Sequence, residues 1–282
     1  MKTINIKFKL LSLIVFISLP LRAEEAQPNP IYSFGVVPQH AANKITRQWT
    51  PILDWISKRC NCQLKVRTAK NIPEFEKQLS LGKYDYAYMN PYHFTVFNQK
   101  PGYQAVARQK DKTIHGILVT RKDSLHKNLS DLQGSPLAFP SPAAFAASIL
   151  TQSNLELAGV EFTPSYVSSH DSVYLTVSKG IFSAGGGVVR TFNKAPDKVK
   201  NQLRILWKSD GYTPHAIAVH PRVPKSIQAT VKKALLKMGS VTEGKKLLRT
   251  LNFKNGLKAA HNHDWDEIKN LNIKAPVLEA RQ

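Results

Sequence analysis

The sequence predicts an α/β protein of two lobes, in which each lobe is a mostly parallel sheet flanked by helices. Strand-like and helix-like segments alternate from residue 31 to residue 94, a pattern typical of parallel strands joined by crossover helices. The alternation begins again after Arg121. In both halves a helix ends at a glycine before the next strand, at Gly82 and at Gly180. Strand-like segments at residues 115–119 and 216–220 are predicted to join the lobes as a two-strand hinge.

The first half shows clear signals for its helices and strands. Apolar residues from Ile45 to Ile56 are spaced four, three and four apart, which predicts a helix with one buried stripe. Asn90 and Pro91 then follow a Tyr-rich strand as a helix N-cap and a first-turn proline. A strand that leads into a helix N-terminus leaves free backbone N–H groups at the sheet edge, so this stretch is predicted to form one wall of an anion-binding cleft. Strands are predicted at residues 31–37, 63–67 and 83–89.

The second half repeats these features. Ser141 and Pro142 match the cap and proline of the first half and predict a second helix N-terminus at the same cleft. Residues 181–184 are predicted as a strand. The three glycines at 185–187 then form a flexible turn or let backbone N–H groups approach an anion. The predicted domains are lobe 1, residues 31–115 and 218–275, and lobe 2, residues 116–217.

The first 23 residues resemble a signal peptide. Lys2, Lys7 and Lys9 precede an apolar run from residue 10 to residue 21, which is too short to span a bilayer, and Ala23 offers a cleavage site. We therefore expect an exported, periplasmic protein. The alternative is a retained N-terminal anchor.

The chain is strongly basic. Its formal net charge is +21, and removal of residues 1–23 takes away four bases and no acid, which leaves +17. The bases are spread along the sequence, so a solvated basic surface is favoured over a nucleic-acid site, and no specific nucleic-acid partner is expected.

The two cysteines, Cys60 and Cys62, are separated by one residue. On a strand their Cα atoms would lie about 6.6 Å apart, near the upper limit for a disulfide. The sequence leaves open a local bridge and two inert thiols.

Six short segments together carry a family resemblance. They are Phe-Gly-Val-Val-Pro at 34–38, Gln-Trp-Thr-Pro-Ile-Leu at 48–53, Gly-Lys-Tyr-Asp-Tyr-Ala-Tyr-Met-Asn-Pro at 82–91, Ser-Asp-Leu-Gln-Gly at 130–134, Ser-His-Asp-Ser-Val at 169–173 and Leu-Trp-Lys-Ser at 206–209. With these segments in this order, the chain resembles the periplasmic substrate-binding proteins of phosphate, phosphite and phosphonate import systems. The resemblance implies a two-lobed, type II periplasmic-binding fold that traps a small oxyanion at helix N-termini and delivers it to a membrane partner.

The ligand motifs of that family are altered here. Family members that bind phosphonates carry a Ser/Thr-rich triplet, whereas the matching residues 141–144 are Ser-Pro-Ala-Ala. Ile72 and Met89 stand where the family has tyrosines, and Arg190 and His215 stand where it has carboxylates that hold an ammonium group. Because two cationic groups would repel an ammonium, an aminoalkylphosphonate is disfavoured. Arg190 instead suits a carboxylate or a more highly charged oxyanion.

These comparisons define the candidate ligand site. His170 matches a family histidine that touches the ligand, with a purely helix-capping role as the alternative. Arg190 is interpreted as a ligand clamp or a solvated side chain. Tyr88 and Tyr92 either line the cleft or lie in the core. The predicted ligand-binding residues are Tyr88, Asn90, Tyr92, Ser141, Ala143, His170, Arg190 and His215.

The predicted function is therefore solute capture. No nucleophile elbow, Walker loop or His-Glu-x-x-His motif is present, so no enzymatic activity is expected. We expect a monomer that binds a small anion and delivers it to the permease of an ABC importer, with no cofactor. The residues 261–264, His-Asn-His-Asp, are not expected to bind a metal. The alternative function is a periplasmic sensor that signals to a membrane histidine kinase or receptor.

Overall fold

The computed structural model describes Met1 and residues 29–271. Apart from Met1, the predicted signal peptide lies outside these residues. Within the described part of the chain, no helix is both long enough and apolar enough to cross a membrane.

The described strands form two separate mixed sheets. The first sheet contains β1 (Ile31–Val36), β2 (Gln63–Arg67), β3 (Tyr86–Met89), β4 (Gln104–Gln109), β10 (Ala216–Val219) and β11 (Leu257–Ala259). The second contains β5 (Gly116–Arg121), β6 (Ser135–Phe139), β7 (Phe162–Tyr166), β8 (Ala184–Val188) and β9 (Leu203–Lys208). Their orders are β11-β4-β10-β3-β1-β2 and β7-β6-β8-β5-β9. The two-lobed α/β fold predicted from the sequence is confirmed.

Strand direction follows from the connections. β1 pairs in parallel with β2 and β3, and β6 pairs in parallel with β7 and β8, because helices cross over between them. The strands that enter from the other sheet, β5 and β10, pair antiparallel with both neighbours. Each sheet is therefore mixed rather than mostly parallel.

Helices cover the sheets. In the first helix the predicted stripe of Ile45, Trp49, Ile52 and Ile56 is buried. The α-helices are α1 (Ala42–Cys60), α2 (Ile72–Ser80), α3 (Pro91–Gln99), α4 (Leu150–Leu157), α5 (His170–Ser178), α6 (Val189–Phe192), α7 (Asp197–Lys200), α8 (Lys225–Met238), α9 (Thr242–Thr250) and α10 (Asp266–Lys269).

The chain passes between the sheets at residues 110–115 and 209–215. These two segments meet at an antiparallel bridge in which Ile114 and Tyr212 exchange backbone hydrogen bonds of 2.8 and 3.0 Å. The segments predicted as crossings instead fall largely within β5 and β10, because both are buried apolar strands bonded on two sides. The predicted boundary between residues 217 and 218 cuts β10, whose four residues all belong to the first sheet.

The start of the second lobe also differs from the prediction. Ser141 caps no helix; residues 141–144 form an irregular segment, and a π-helix follows at Phe145–Ile149. The three glycines lie inside buried β8 rather than in a turn, and the predicted strand at 181–184 reaches the sheet only at Ala184. A Cβ atom on Gly186 would lie 1.8 Å from the Ala147 oxygen, so only glycine allows the π-helix to approach the sheet this closely.

The backbone conformation decides between a disulfide and two free thiols at Cys60 and Cys62. Cys60 ends α1, Asn61 takes a left-handed conformation, and Cys62 precedes β2. This bend brings the two Cα atoms to 5.2 Å, and the sulfurs are bonded as a disulfide.

Candidate functional site

A small cavity lies between the two sheets, beyond the carboxyl ends of β1 and β3. Its volume of about 10 Å³ is close to what a single water molecule needs. The residues around it come from both lobes and from the segment that joins them. They are Val37, Gln39, Ile72, Asn90, Ile114, Ala144, Phe145, Ala146, Ala147, His170, Val188 and His215.

Asn90 combines a local role with a contact between lobes. Its side-chain oxygen accepts a 2.7 Å hydrogen bond from the His93 backbone N–H, which caps α3 as predicted. Its amide nitrogen donates a 3.0 Å hydrogen bond to the backbone oxygen of Ala143 in the second lobe. His93 is held in turn by Glu76, at 2.9 Å. The predicted cleft wall is thus bonded directly to the opposite lobe.

Gln39 joins the lobes at the cavity. Arg190 donates to the Gln39 side-chain oxygen, which leaves the Gln39 amide nitrogen 3.4 Å from Nε2 of His170. Because an amide nitrogen only donates, His170 Nε2 is the acceptor and its proton resides on Nδ1, which lies 3.3 Å from Thr191 Oγ1. A continuous polar chain therefore runs from Arg190 through Gln39 and His170 to Thr191.

His215 faces the cavity with an unused polar atom. It is 3% exposed, and its Nε2 atom has no hydrogen-bond partner within the described residues. Its ring stacks on Tyr88 with centroids 4.9 Å apart, and the Arg190 guanidinium lies 5.8 Å from the centre of the same tyrosine ring. A buried ring nitrogen without a partner is costly, and among the described residues that line the cavity only His215 has such a side-chain atom.

Burial keeps the two histidines of the cavity uncharged. Burial, reinforced by His40 and Arg190, lowers the pKa of His170 to about 3, and burial with Arg190 nearby lowers the pKa of His215 well below its ordinary value. Both imidazoles are therefore neutral at neutral pH. An anion beside them would raise both pKa values, because it stabilises the protonated ring.

A second contact closes the cleft near the start of α5. His40 Nδ1 donates to the Asp171 carboxylate at 3.0 Å, from the first lobe to the second. Burial by itself raises the pKa of Asp171, but the hydrogen bond from His40 and the nearby cations outweigh it and keep that pKa low. Ser169, not His170, caps α5 by accepting from the Ser172 N–H, so the capping interpretation of His170 is wrong.

The other predicted site residues occupy varied positions. Tyr88 is a buried residue behind His215, and Ala143 contributes its backbone oxygen to Asn90. Ser141 is buried, its hydroxyl has no partner within the described residues, and it does not line the cavity. Tyr92 lies instead at a separate cavity of about 280 Å³ with Phe145 and Leu271.

Gln39 is the polar lining residue that the sequence prediction missed. It follows β1 at the same sheet edge at which Asn90 follows β3, and this position after a strand was an available signal. Of the altered family positions, Ile72, Ala144 and His215 line the cavity, whereas Met89 is buried away from its lining and Arg190 contacts it only through Gln39.

Within the described residues, no group of three or more His, Cys, Asp or Glu side chains comes together as a metal site. In the segment at 261–264, the rings of His261 and His263 stack with centroids 5.5 Å apart, and Asp264 accepts a 2.9 Å hydrogen bond from Arg108.

Two mixed sheets joined by two chain crossings, with a small cavity between them lined by four polar and eight apolar residues, form a two-lobed fold. Residues 34–265 match the family of ABC transporter, phosphonate, periplasmic substrate-binding proteins, and the chain belongs to that family. It is accordingly a solute-binding protein of an ABC importer and not an enzyme, and the family to which it belongs is periplasmic.

Solved structures share this fold. A binding protein component of an ABC phosphonate transporter from Pseudomonas aeruginosa is 16% identical with a TM-score of 0.79, over 86% of this chain and 85% of that chain. PhnD1 from Prochlorococcus marinus in complex with methylphosphonate is 18% identical with a TM-score of 0.76, over 86% and 97%. A Xanthomonas citri protein bound to chloride ion is 15% identical with a TM-score of 0.68, over 85% and 99%.

Proposed function

We propose that the cavity binds a compact oxyanion that carries no ammonium group, such as phosphate, phosphite or methylphosphonate. The observation that carries this proposal is the lining itself, which contains two histidines, the Asn90 amide and an amide held by Arg190, but no carboxylate. An anion that takes the place of Gln39 gains charge stabilisation from Arg190 and hydrogen bonds from the amides, and from the histidines once they carry a proton on the ring nitrogen that faces it. An ammonium group finds no acid there to pair with.

The size of the cavity restricts the ligand further. About 10 Å³ holds a water but not an oxyanion, so binding requires that the lobes part slightly or that Gln39 leaves its place between Arg190 and His170. The two sheets act as the moving lobes in this proposal, and residues 110–115 and 209–215 act as the hinge.

The supporting test is a thermal-shift screen over phosphate, phosphite, methylphosphonate, aminoethylphosphonate and sulfate. A ligand at a hundred times its dissociation constant adds about 2.7 kcal/mol to the free energy of unfolding. We expect a shift with at least one compact oxyanion and none with the aminoalkylphosphonate. Stabilisation by the aminoalkylphosphonate alone would contradict the proposal.

Arg190 provides the mutational test. Arg190→Ala is expected to abolish the anion-dependent shift, because the guanidinium that supplies the positive charge is lost. Arg47→Ala is the matched control, since Arg47 is an exposed arginine on α1 away from the lining. Equal ligand shifts in both variants would remove Arg190 from the site.

The protein is proposed to act as a periplasmic monomer after cleavage of residues 1–23, with the importer's permease as its partner. Light scattering of the exported protein tests the monomer, and intact mass tests the cleavage.

The sensory alternative stays a prediction from the altered ligand motif. Restored uptake of the ligand in a strain that lacks the protein supports transport; a kinase response without uptake supports sensing.

A further inference from the structure

The first lobe carries a predominantly basic surface on α8, α9 and the chain from α9 through β11. Between residues 225 and 258 there are nine basic residues and a single acid, Glu243. Seven of the nine are exposed and the other two are half-buried. This basic face consists of Lys225, Lys232, Lys233, Lys237, Lys245, Lys246, Arg249, Lys254 and Lys258.

The basic charges are not neutralised within the described residues. None of the nine forms an ion pair there. Glu243 is occupied elsewhere, because it accepts a 2.8 Å hydrogen bond from Trp55 and lies 3.9 Å from Arg59. Lys233 and Lys237, and likewise Lys245 and Arg249, are one helical turn apart, where like charges repel.

Tertiary structure brings these charges together. A Cβ atom on Gly239 would lie only 3.3 Å from the Cα atom of Gly256, so the end of α8 packs closely against the turn before β11. Lys237 lies two residues before Gly239, and Lys254 lies two residues before Gly256, so both bases are near this contact. The elements that carry these bases therefore lie side by side in the first lobe.

The surface chemistry of the face limits what it binds. No large apolar side chain between residues 225 and 258 is exposed, and the single aromatic residue there, Phe253, is buried. The face consequently has no group to insert into a bilayer core and no platform on which unpaired bases would stack. What remains is attraction to an anionic surface through charge alone.

The face also adjoins the cleft. At the end of α9, the Thr250 backbone oxygen accepts hydrogen bonds from Gln48 at 3.1 Å and from Lys194 of the second lobe at 3.3 Å. The basic face therefore extends to the rim where the two lobes meet. Because the family is periplasmic and serves a transporter in a membrane, an anionic phospholipid surface lies beside its place of action.

We propose that the basic face binds the headgroups of an anionic phospholipid surface by electrostatic attraction. Such binding holds the cleft rim close to the membrane without anchoring the protein in it. It is independent of which anion the cavity binds.

The test is co-sedimentation with vesicles, using two variants of equal net charge. Lys233→Glu, Lys237→Glu and Lys246→Glu together reverse the basic face. Lys122→Glu, Lys127→Glu and Lys208→Glu make the same change at exposed positions of the second lobe. Circular dichroism first establishes that both variants are folded.

The unchanged protein is expected to sediment with vesicles of phosphatidylcholine mixed with phosphatidylglycerol, but not with pure phosphatidylcholine, and salt should release it. The variant of the basic face should bind at least about a hundredfold more weakly, because each lost base costs about fivefold near an anionic membrane and each new glutamate adds repulsion. The control should bind nearly as the unchanged protein does. Equal weakening in both variants, no binding to phosphatidylglycerol, or binding to duplex DNA without binding to vesicles would each overturn the proposal.

Discussion

The side-chain amide of Gln39, in the first lobe, donates a hydrogen bond to Nε2 of His170, in the second, across 3.4 Å. The oxygen of the same amide accepts a hydrogen bond from Arg190, so the neutral Gln39 side chain lies between the Arg190 guanidinium and the His170 ring. In this closed form Gln39 satisfies the groups that the proposed anion would contact. That arrangement makes it a sensitive position for mutation.

Gln39→Glu is expected to stabilise the ligand-free protein and to remove its response to anions. The new carboxylate would pair with Arg190, accept a hydrogen bond from His170 after that ring takes a proton on Nε2, and so take the place of an external oxyanion. Thermal unfolding with and without phosphate or methylphosphonate measures both effects. Gln39→Ala is the companion variant, and it should lower the free energy of unfolding by roughly 1.5–3 kcal/mol because a hydrogen bond to a charged group is lost. A full ligand shift in Gln39→Glu would contradict the proposed site.

Stability is expected to fall as the pH drops below about 6.5. The folded-state pKa of His170 is lowered to about 3, so the unfolded chain binds a proton that the folded protein excludes. The stabilising contribution is complete above the unfolded pKa and is lost progressively toward pH 3. For His170 alone the loss between pH 7 and pH 4.5 is roughly 2–3 kcal/mol. Denaturant titrations of the unchanged protein and of His170→Gln, which should be less sensitive to acid, provide the measurement.

Gly186→Ala is expected to destabilise the second lobe severely. The added methyl group would overlap the Ala147 oxygen at 1.8 Å and the Phe139 ring at 2.7 Å, and neither neighbour is the end of a flexible chain. Gly159→Ala serves as the control. It meets nothing within 4 Å but has a φ of +69°, so only backbone strain of about 1–2 kcal/mol is expected. Comparable melting temperatures for the two variants would show that the π-helix can move away.

Asp85→Ala is expected to weaken the first lobe by roughly 2–4 kcal/mol. Its carboxylate accepts hydrogen bonds from the Ser33 backbone and hydroxyl at 2.8 and 2.7 Å and from Arg222 at 2.7 Å, which ties β1 to the chain that leaves β10. Asp123→Ala removes an exposed acid paired with Arg121 and should leave unfolding by urea unchanged. Equal effects of the two substitutions would contradict this role of Asp85.

Much of the first lobe is specified locally. The stripe from Ile45 to Ile56 and the Asn90 cap depend on neighbours within a few residues, and both are found as predicted. The second lobe deviates where packing overrides local signals. Ser141 and Pro142 repeat the Asn90 and Pro91 pattern, yet the helix begins later as a π-helix.

The site was predictable only in part for the same reason. Asn90, His170 and His215 were identified from the sequence and do line the cavity. Gln39 was not, because its role depends on a partner 131 residues away. Tyr92 follows Asn90 by two residues and was predicted for the same site, but it lies at a different cavity.

The sequence by itself determined the two α/β lobes, the family and the excess of basic charge. Helix periodicity and caps are properties of short segments, and net charge is a sum over all residues. Only the tertiary structure decided that β10 belongs to the first sheet, that three glycines form a buried strand, and that Gln39 bridges Arg190 and His170. It also placed the bases at the end of α8 beside those of the turn before β11. Each of these depends on contacts between residues distant in the chain, which local pattern does not encode.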